Sequence, residues 1–189
     1  MVNWAAEDDL IRACHLLAET GLVTATDGNL SKRTDQGLMI TPTGRAKALL
    51  QGKDLCYLDA NGEILEGPGP SREWAFHRAI YMAKPEVLAI CHAHPDFVTA
   101  LASQDLARHE RFLFDAELRF PQLGYIEKIT PGSADLARAV AKASLSANAL
   151  LLASHGAITW GQSAMEAVQE MAALERWART VFILQRTGI

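Results

Sequence analysis

The chain has 189 residues and a mass of 20.6 kDa, with 49% apolar and 21% charged residues. That balance suits one domain with a sizeable buried core and is wrong for a disordered chain. Lys and Arg number 18 against 22 Asp and Glu, a net charge of −4, which excludes the basic surplus of a general nucleic-acid binder but leaves room for a locally cationic pocket.

Apolar runs such as Ala149-Leu150-Leu151-Leu152-Ala153 are far too short to span a bilayer, so no membrane partner is expected. The chain through Asp9 is polar and acidic, unlike a secretory leader. Cys14, Cys56 and Cys91 are odd in number, widely spaced and free of any CxxC, so they are expected as free thiols of a reducing compartment, the cytoplasm.

In chain order, Asn3 is placed to cap an amphipathic helix on which Leu10, Ile11, Cys14, Leu17 and Ala18 recur at helical spacing, and Gly21 stops it. Residues 22–41 read as short strands broken at Thr26-Asp27-Gly28-Asn29 and Asp35-Gln36-Gly37. Pro42-Thr43-Gly44 is a turn, and 55–58 with 63–65 flank the hairpin signal Asp59-Ala60-Asn61-Gly62. Ser71 is expected to cap a helix that Pro85 ends near Lys84. Residues 87–91 read as a buried strand, and Pro95 opens the next helix. Residues 108–129 read as loop with strand pieces. Ser133 caps a helix, 149–153 form a buried strand, and Ser163 with Glu166 predicts a capping box on a final helix reaching about Gln185. Strands and helices interleave without repeat or linker. This predicts one α/β domain over 1–189, a mixed sheet with helices on both faces.

The histidines carry the chemistry. In Cys91-His92-Ala93-His94, residues two apart on a strand share a face, so His92 and His94 can hold one ion. His155 stands at the end of a second buried strand, just before Gly156. Three imidazoles from two strand ends make a first shell for Zn²⁺ with a position left open, although an all-His site also suits Mn, Fe or Co. Glu73, expected in the first turn of a helix, would by itself only complement the helix dipole; beside a Lewis-acidic metal it becomes a candidate catalytic acid/base. The turns at Gly28-Asn29, Thr43-Gly44 and Ser71 supply small residues, hydroxyls and N–H groups of the kind that bind phosphate or carboxylate. His77, one helical turn from Glu73, reads as a packed helix histidine, with a place supporting the site from behind as the alternative. Trp74, Phe76, Ile80, Tyr81, Met165, Met171 and Trp177 read as packing.

The ordered motifs Gly21-Leu22-Val23-Thr24-Ala25-Thr26-Asp27-Gly28-Asn29-Leu30-Ser31, Ile40-Thr41-Pro42-Thr43-Gly44, Pro70-Ser71-Arg72-Glu73-Trp74 with His77, His92-Ala93-His94-Pro95 and Leu151-Leu152-Ala153-Ser154-His155-Gly156 span nearly the whole chain. In this order they resemble the class II aldolase/adducin family, most closely its L-fuculose-1-phosphate aldolase branch. The resemblance implies a three-layer α/β/α domain with a central mixed, largely antiparallel sheet, assembled as a homotetramer with active sites at subunit interfaces. It implies zinc (Mn²⁺ or Co²⁺ as alternatives) on His92, His94 and His155, with Glu73 as acid/base. Gly28, Asn29, Thr43, Gly44 and Ser71 match the grip on a substrate phosphate. The implied activity is retro-aldol cleavage of a ketose phosphate; a decarboxylase or dehydratase would use the same site. Epimerases of the family carry Asp where Glu73 stands.

The chain departs from the pattern where the second Ser of Pro-Ser-Ser-Glu is Arg72, a guanidinium suited to phosphate or to a bidentate carboxylate. The aldolase Tyr that follows the His-x-His segment has no counterpart between Tyr81 and Tyr125, where Phe112 and Phe114 stand. The chain reaches Ile189 without the tail that covers the site in the aldolases.

Overall fold

The computed structural model describes residues 4–103 and 114–187. Eight strands form one sheet: β1 (Asn29–Arg33), β2 (Gly37–Ile40), β3 (Cys56–Asp59), β4 (Ile64–Glu66), β5 (Ala89–Ala93), β6 (Leu123–Ile126), β7 (Ala149–Leu152) and β8 (Gly156–Gly161), in the order β4-β3-β2-β1-β5-β8-β7-β6. Among the described residues only β6 with β7 is parallel; the other neighbours are antiparallel. Among the same residues six α-helices flank the sheet: α1 (Trp4–Glu19), α2 (Trp74–Ala83), α3 (Asp96–Ser103), α4 (Phe114–Arg119), α5 (Ala134–Ser144) and α6 (Ala164–Thr187).

Alternation along the central strands sorts side chains into two cores. On one face, Leu30, Met39, Cys91 and Leu151 pack with Leu10 and Leu17 of α1, Val98 and Leu101 of α3, and Met171 and Trp177 of α6. On the other, Leu38, Ile40, Ile90, Leu150 and Ile158 pack with Phe76, Ile80 and Tyr81 of α2 and Leu136 and Val140 of α5. Each fully buried aliphatic side chain contributes about 1.5–3 kcal/mol of transfer free energy. The result is the three-layer α/β/α arrangement with a mixed, largely antiparallel sheet.

Several local expectations change. Residues 22–28 form turns rather than a strand, and Asn29 opens β1 instead of breaking it. Its register against His92 on β5 is the reason: the sheet recruits it. Helix α2 begins at Trp74, not after Ser71. Residues 71–73 close a turn instead, with the Trp74 N–H donating to Ser71 O at 3.1 Å. Within 108–129, residues 114–119 are helical and 123–126 form β6; 108–113, like Asn3 and His109, lie outside the described residues. Residues 156–161, with two glycines, form β8, which sequence reading passed over. The capping box is half-formed: Ser163 Oγ accepts from the Glu166 N–H, but Glu166 accepts from Gln162, one residue before the expected donor. Ser133 caps α5 as expected, accepting from the Leu136 N–H at 3.1 Å. Cys14, Cys56 and Cys91 are free and buried.

Candidate metal centre

Three elements bring the titratable groups together. β5 delivers His92 on its α2-facing side, and His94 follows just beyond the strand end. His155 is not at a strand end, as expected, but in the tight turn 153–155 that joins β7 to β8. Two backbone features let that turn approach β5. Ser154 adopts φ 57°, and Gly156 adopts φ 148° where a Cβ would stand 2.3 Å from Ala93 O. Gly28 is constrained likewise: φ is 66°, and a Cβ would stand 2.8 Å from His92 O.

Glu73 is the N-cap residue of α2 rather than a residue of its first turn. Its carboxylate makes no capping bond and is turned into the pocket instead. One oxygen, Oε2, accepts from Asn29 Nδ2 at 2.9 Å and lies 3.2 Å from His92 Nε2. The other, Oε1, lies 3.2 Å from His155 Nε2 but has no hydrogen-bonding partner although it is buried. His94 Nε2 comes within 2.9 Å of His92 Nε2. Ligand atoms of Glu73, His92, His94 and His155 all fall within 4.8 Å of one another.

This donor set fits a divalent ion. His92 Nδ1 lies 2.9 Å from Ala157 O, an acceptor, so Nδ1 carries the hydrogen and Nε2 offers its lone pair to the centre. Burial, with the neighbouring His92 and His155 disfavouring another positive charge, pulls His94 down to about 3, so it is neutral and able to ligate near neutral pH. Burial alone would raise the Glu73 carboxyl; His92, His155 and the Asn29 amide beside it outweigh this and hold it well below the carboxylate range. An orphaned carboxylate oxygen facing imidazole lone pairs is what a cation satisfies.

Above the cluster opens a cavity of about 540 Å³. Gly28, Asn29, Thr43, Gly44, Ser71, Arg72, Glu73, His94 and His155 all line it, so the sequence-derived candidates converge, with His92 buried beneath. Two of the expected turn N–H groups are already engaged: that of Arg72 donates to Thr43 Oγ1 at 3.0 Å and that of Glu73 to Ser71 Oγ at 3.3 Å. These bonds stitch the Thr43 and Ser71 loops together. The buried Lys47 ammonium ties two further segments from below, donating to Thr26 O and Arg45 O.

Sequence reasoning missed Thr26, Asp27, Pro42, Pro131 and Gly132 as lining residues. Pro131-Gly132 carries a turn signal, but nothing local says that it folds against Arg72, whose carbonyl a Cβ on Gly132 would meet at 3.1 Å. His77 is a fully buried helix histidine as expected, drawn down to about 3 by burial and the nearby His92, yet it hydrogen-bonds Asn29 and Ser31. Tyr125, on β6, packs against the α6-side core and is not among the lining residues; Phe114 is exposed.

The model of the class II aldolase and adducin N-terminal domain matches residues 8–182. An L-fuculose phosphate aldolase of Methanococcus vannielii is 33% identical, the match covering 90% of this chain and 92% of that protein. A 3-oxo-tetronate 4-phosphate decarboxylase of Haemophilus influenzae is 32% identical, covering 98% and 90%. The crystal structure of L-fuculose-1-phosphate aldolase from Thermus thermophilus superimposes with a TM-score of 0.89 at 29% identity, covering 97% of this chain and 95% of that one. No helix among the described residues is long and apolar enough to cross a membrane. The chain belongs to the class II aldolase and adducin family, and it gathers the Glu and His donors of a possible metal site in one pocket.

Proposed function

We propose that this chain is a metal-dependent lyase that cleaves a ketose phosphate by retro-aldol chemistry to dihydroxyacetone phosphate and an aldehyde. The observation that carries the reading is Glu73: a half-buried carboxylate with one buried oxygen unpaired, among three convergent imidazoles, at the floor of a cavity lined by the turns at Gly28, Thr43-Gly44 and Ser71. The fuculose phosphate aldolases among the relatives support it.

His92, His94 and His155 would hold the ion, Zn²⁺ by preference with Mn²⁺ or Co²⁺ as alternatives. When bound, a divalent ion supplies Lewis acidity for the negative charge that develops on the substrate oxygens. The turns at Gly28, Thr43-Gly44 and Ser71, with the Arg72 guanidinium at the rim, bind the phosphate and orient the carbon chain. Glu73 rests as a carboxylate, the base form. In the synthetic direction it takes the proton from the carbon that becomes the nucleophile; in cleavage the substrate hydroxyl that becomes the aldehyde gives up its proton, Glu73 takes one up, and it delivers that proton to the carbon after the carbon–carbon bond has broken.

We assign the domain to residues 1–189 and the working form to a cytoplasmic homotetramer with sites at subunit interfaces. Leu49, Met82, Phe114 and Leu118 support assembly: they expose large apolar side chains that a second copy could cover.

Arg72 and the decarboxylase relatives favour one second reading, loss of CO₂ from a phosphorylated oxo acid at the same centre. The discriminating experiment offers the metal-loaded protein ketose 1-phosphates, L-fuculose 1-phosphate among them, and phosphorylated 3-oxo acids. Dihydroxyacetone phosphate with an aldehyde, abolished in Glu73→Gln, is the expected result. Release of CO₂ without an aldehyde would replace the lyase reading with the second.

A further inference from the structure

Behind Glu73 lies a row of buried polar side chains that begins at Asn29, on the cavity wall, and runs away from the cavity through His77 and Ser31 to Tyr81. Tyr81 and His77 stand one turn apart on α2, and both face Ser31 on β1; His77 also faces Asn29, two residues away on the same side of that strand. The contacts run unbroken. Tyr81 Oη lies 2.8 Å from Ser31 Oγ, and Ser31 Oγ 2.7 Å from His77 Nδ1. His77 Nε2 lies 2.5 Å from Asn29 Oδ1, and Asn29 Nδ2 2.9 Å from Glu73 Oε2. Tyr81, Ser31, His77 and Asn29 are each at most 4% exposed, so water cannot substitute for a missing partner.

The direction of this chain follows from its end. A carboxylate only accepts, so Asn29 must turn its amide NH₂ toward Glu73 and its carbonyl toward His77. That carbonyl needs a donor, so His77 carries its hydrogen on Nε2. Its Nδ1 must then accept, and the donor there is the Ser31 hydroxyl. Ser31 in turn accepts from the Tyr81 hydroxyl. Phe76 stacks on the His77 ring with centroids 4.7 Å apart and planes 16° apart, which fixes the ring plane.

We propose that His77 is a positioning residue for the reaction: through Asn29 it holds Glu73 Oε2, and so leaves Oε1 as the oxygen that carries the substrate's proton. The inference rests on Glu73 being the proton carrier. Oε1 is the buried oxygen without a hydrogen bond, the one left available for that work. Without the His77 donor, the Asn29 amide is free to turn over. It would then present its own carbonyl to the carboxylate, acceptor against acceptor. A purely structural role for the row predicts loss of folded protein and no selective loss of turnover.

Two measurements on the full-length protein test this. The first is side-chain NMR of metal-free, ¹⁵N-histidine-labelled protein. His77 is expected as the Nε2–H tautomer, and the Nδ1–H tautomer would overturn the chain's direction. The second compares His77→Phe, which keeps a ring against Phe76 but no donor, with His77→Gln, whose amide nitrogen can replace Nε2–H. His77→Phe is expected to lower kcat about 10- to 100-fold with KM unchanged, the usual range for residues that orient a metal-site group from behind. His77→Gln is expected to stay within about threefold of the parent. Wild-type kcat in His77→Phe, or a loss that tracks the folded fraction in both variants, would overturn the proposal. Should the parent cleave none of the sugars, the lyase reading fails. The tautomer, and an Asn29 side-chain amide resonance that shifts in His77→Phe but not in His77→Gln, still decide this one.

Discussion

The two sides of β5 differ in kind. Ala89, Cys91 and Ala93 belong to the core beneath α6 with Met171 and Trp177, where the Thr159 hydroxyl is the polar group beside Cys91. One residue along, His92 faces α2, with Phe76 packed edge-on at 5.3 Å and Glu73 3.2 Å away. Strand alternation thus puts stability and chemistry on opposite sides of a single strand. The small side chains of the apolar side let α6 lie close. On the other side, past Ile90 of the second core, Asn29 and the Ala157 carbonyl satisfy part of the imidazole and carboxylate cluster, and Glu73 Oε1 is left for a cation.

That contrast can be broken at either side. The largest effect is expected for His92→Ala: loss of bound metal by elemental analysis and a fall in turnover of about 10³-fold or more, the several kcal/mol that Lewis acidity supplies. Glu73→Gln should lower kcat by about 10²- to 10³-fold while circular dichroism shows the fold intact, since it removes proton transfer from a group that packs no core. On the other side, Met171→Ala should cost about 2–5 kcal/mol by urea denaturation and leave kcat per folded molecule unchanged. Arg72→Ala should raise KM for a phosphorylated substrate about tenfold with kcat unchanged, because an exposed guanidinium at the rim contributes binding rather than chemistry.

The smallest effect lies far from the site. Asp9 is partly buried, which favours its neutral form, but Lys32 and the Ala164 N–H outweigh this and lower its pKa. A depressed carboxyl contributes stability above its unfolded pKa and loses it as pH falls through the folded one. Asp9→Asn should therefore cost under about 1 kcal/mol at pH 7, and the difference from the parent should shrink in acid denaturation as the pH falls below the ordinary carboxylate range.

Signals within a few residues were legible in the sequence. The His-x-His spacing put two imidazoles on one side of β5, Ser133 capped its helix, and the Asn61-Gly62 turn joined its hairpin. What the sequence did not disclose depends on partners far along the chain. Asn29 looks like a turn residue until β5 pairs with it. Glu73 looks like ordinary helix-dipole decoration until Asn29, 44 residues earlier, holds one of its oxygens. His155 reads as a strand end because nothing local shows that Gly156 starts a new strand under His94. The site was legible as a set of residues, and its hydrogen-bonding direction only in three dimensions.

If one side of β5, with Glu73, holds a metal and moves a proton, metal stoichiometry and aldehyde release measured on the same preparations of the parent, His92→Ala and Glu73→Gln will separate the two roles. About one divalent ion per chain is expected in the parent and in Glu73→Gln, none in His92→Ala, and aldehyde from the parent alone. Undiminished aldehyde release by Glu73→Gln, or by a parent stripped of metal with a chelator, would contradict those roles.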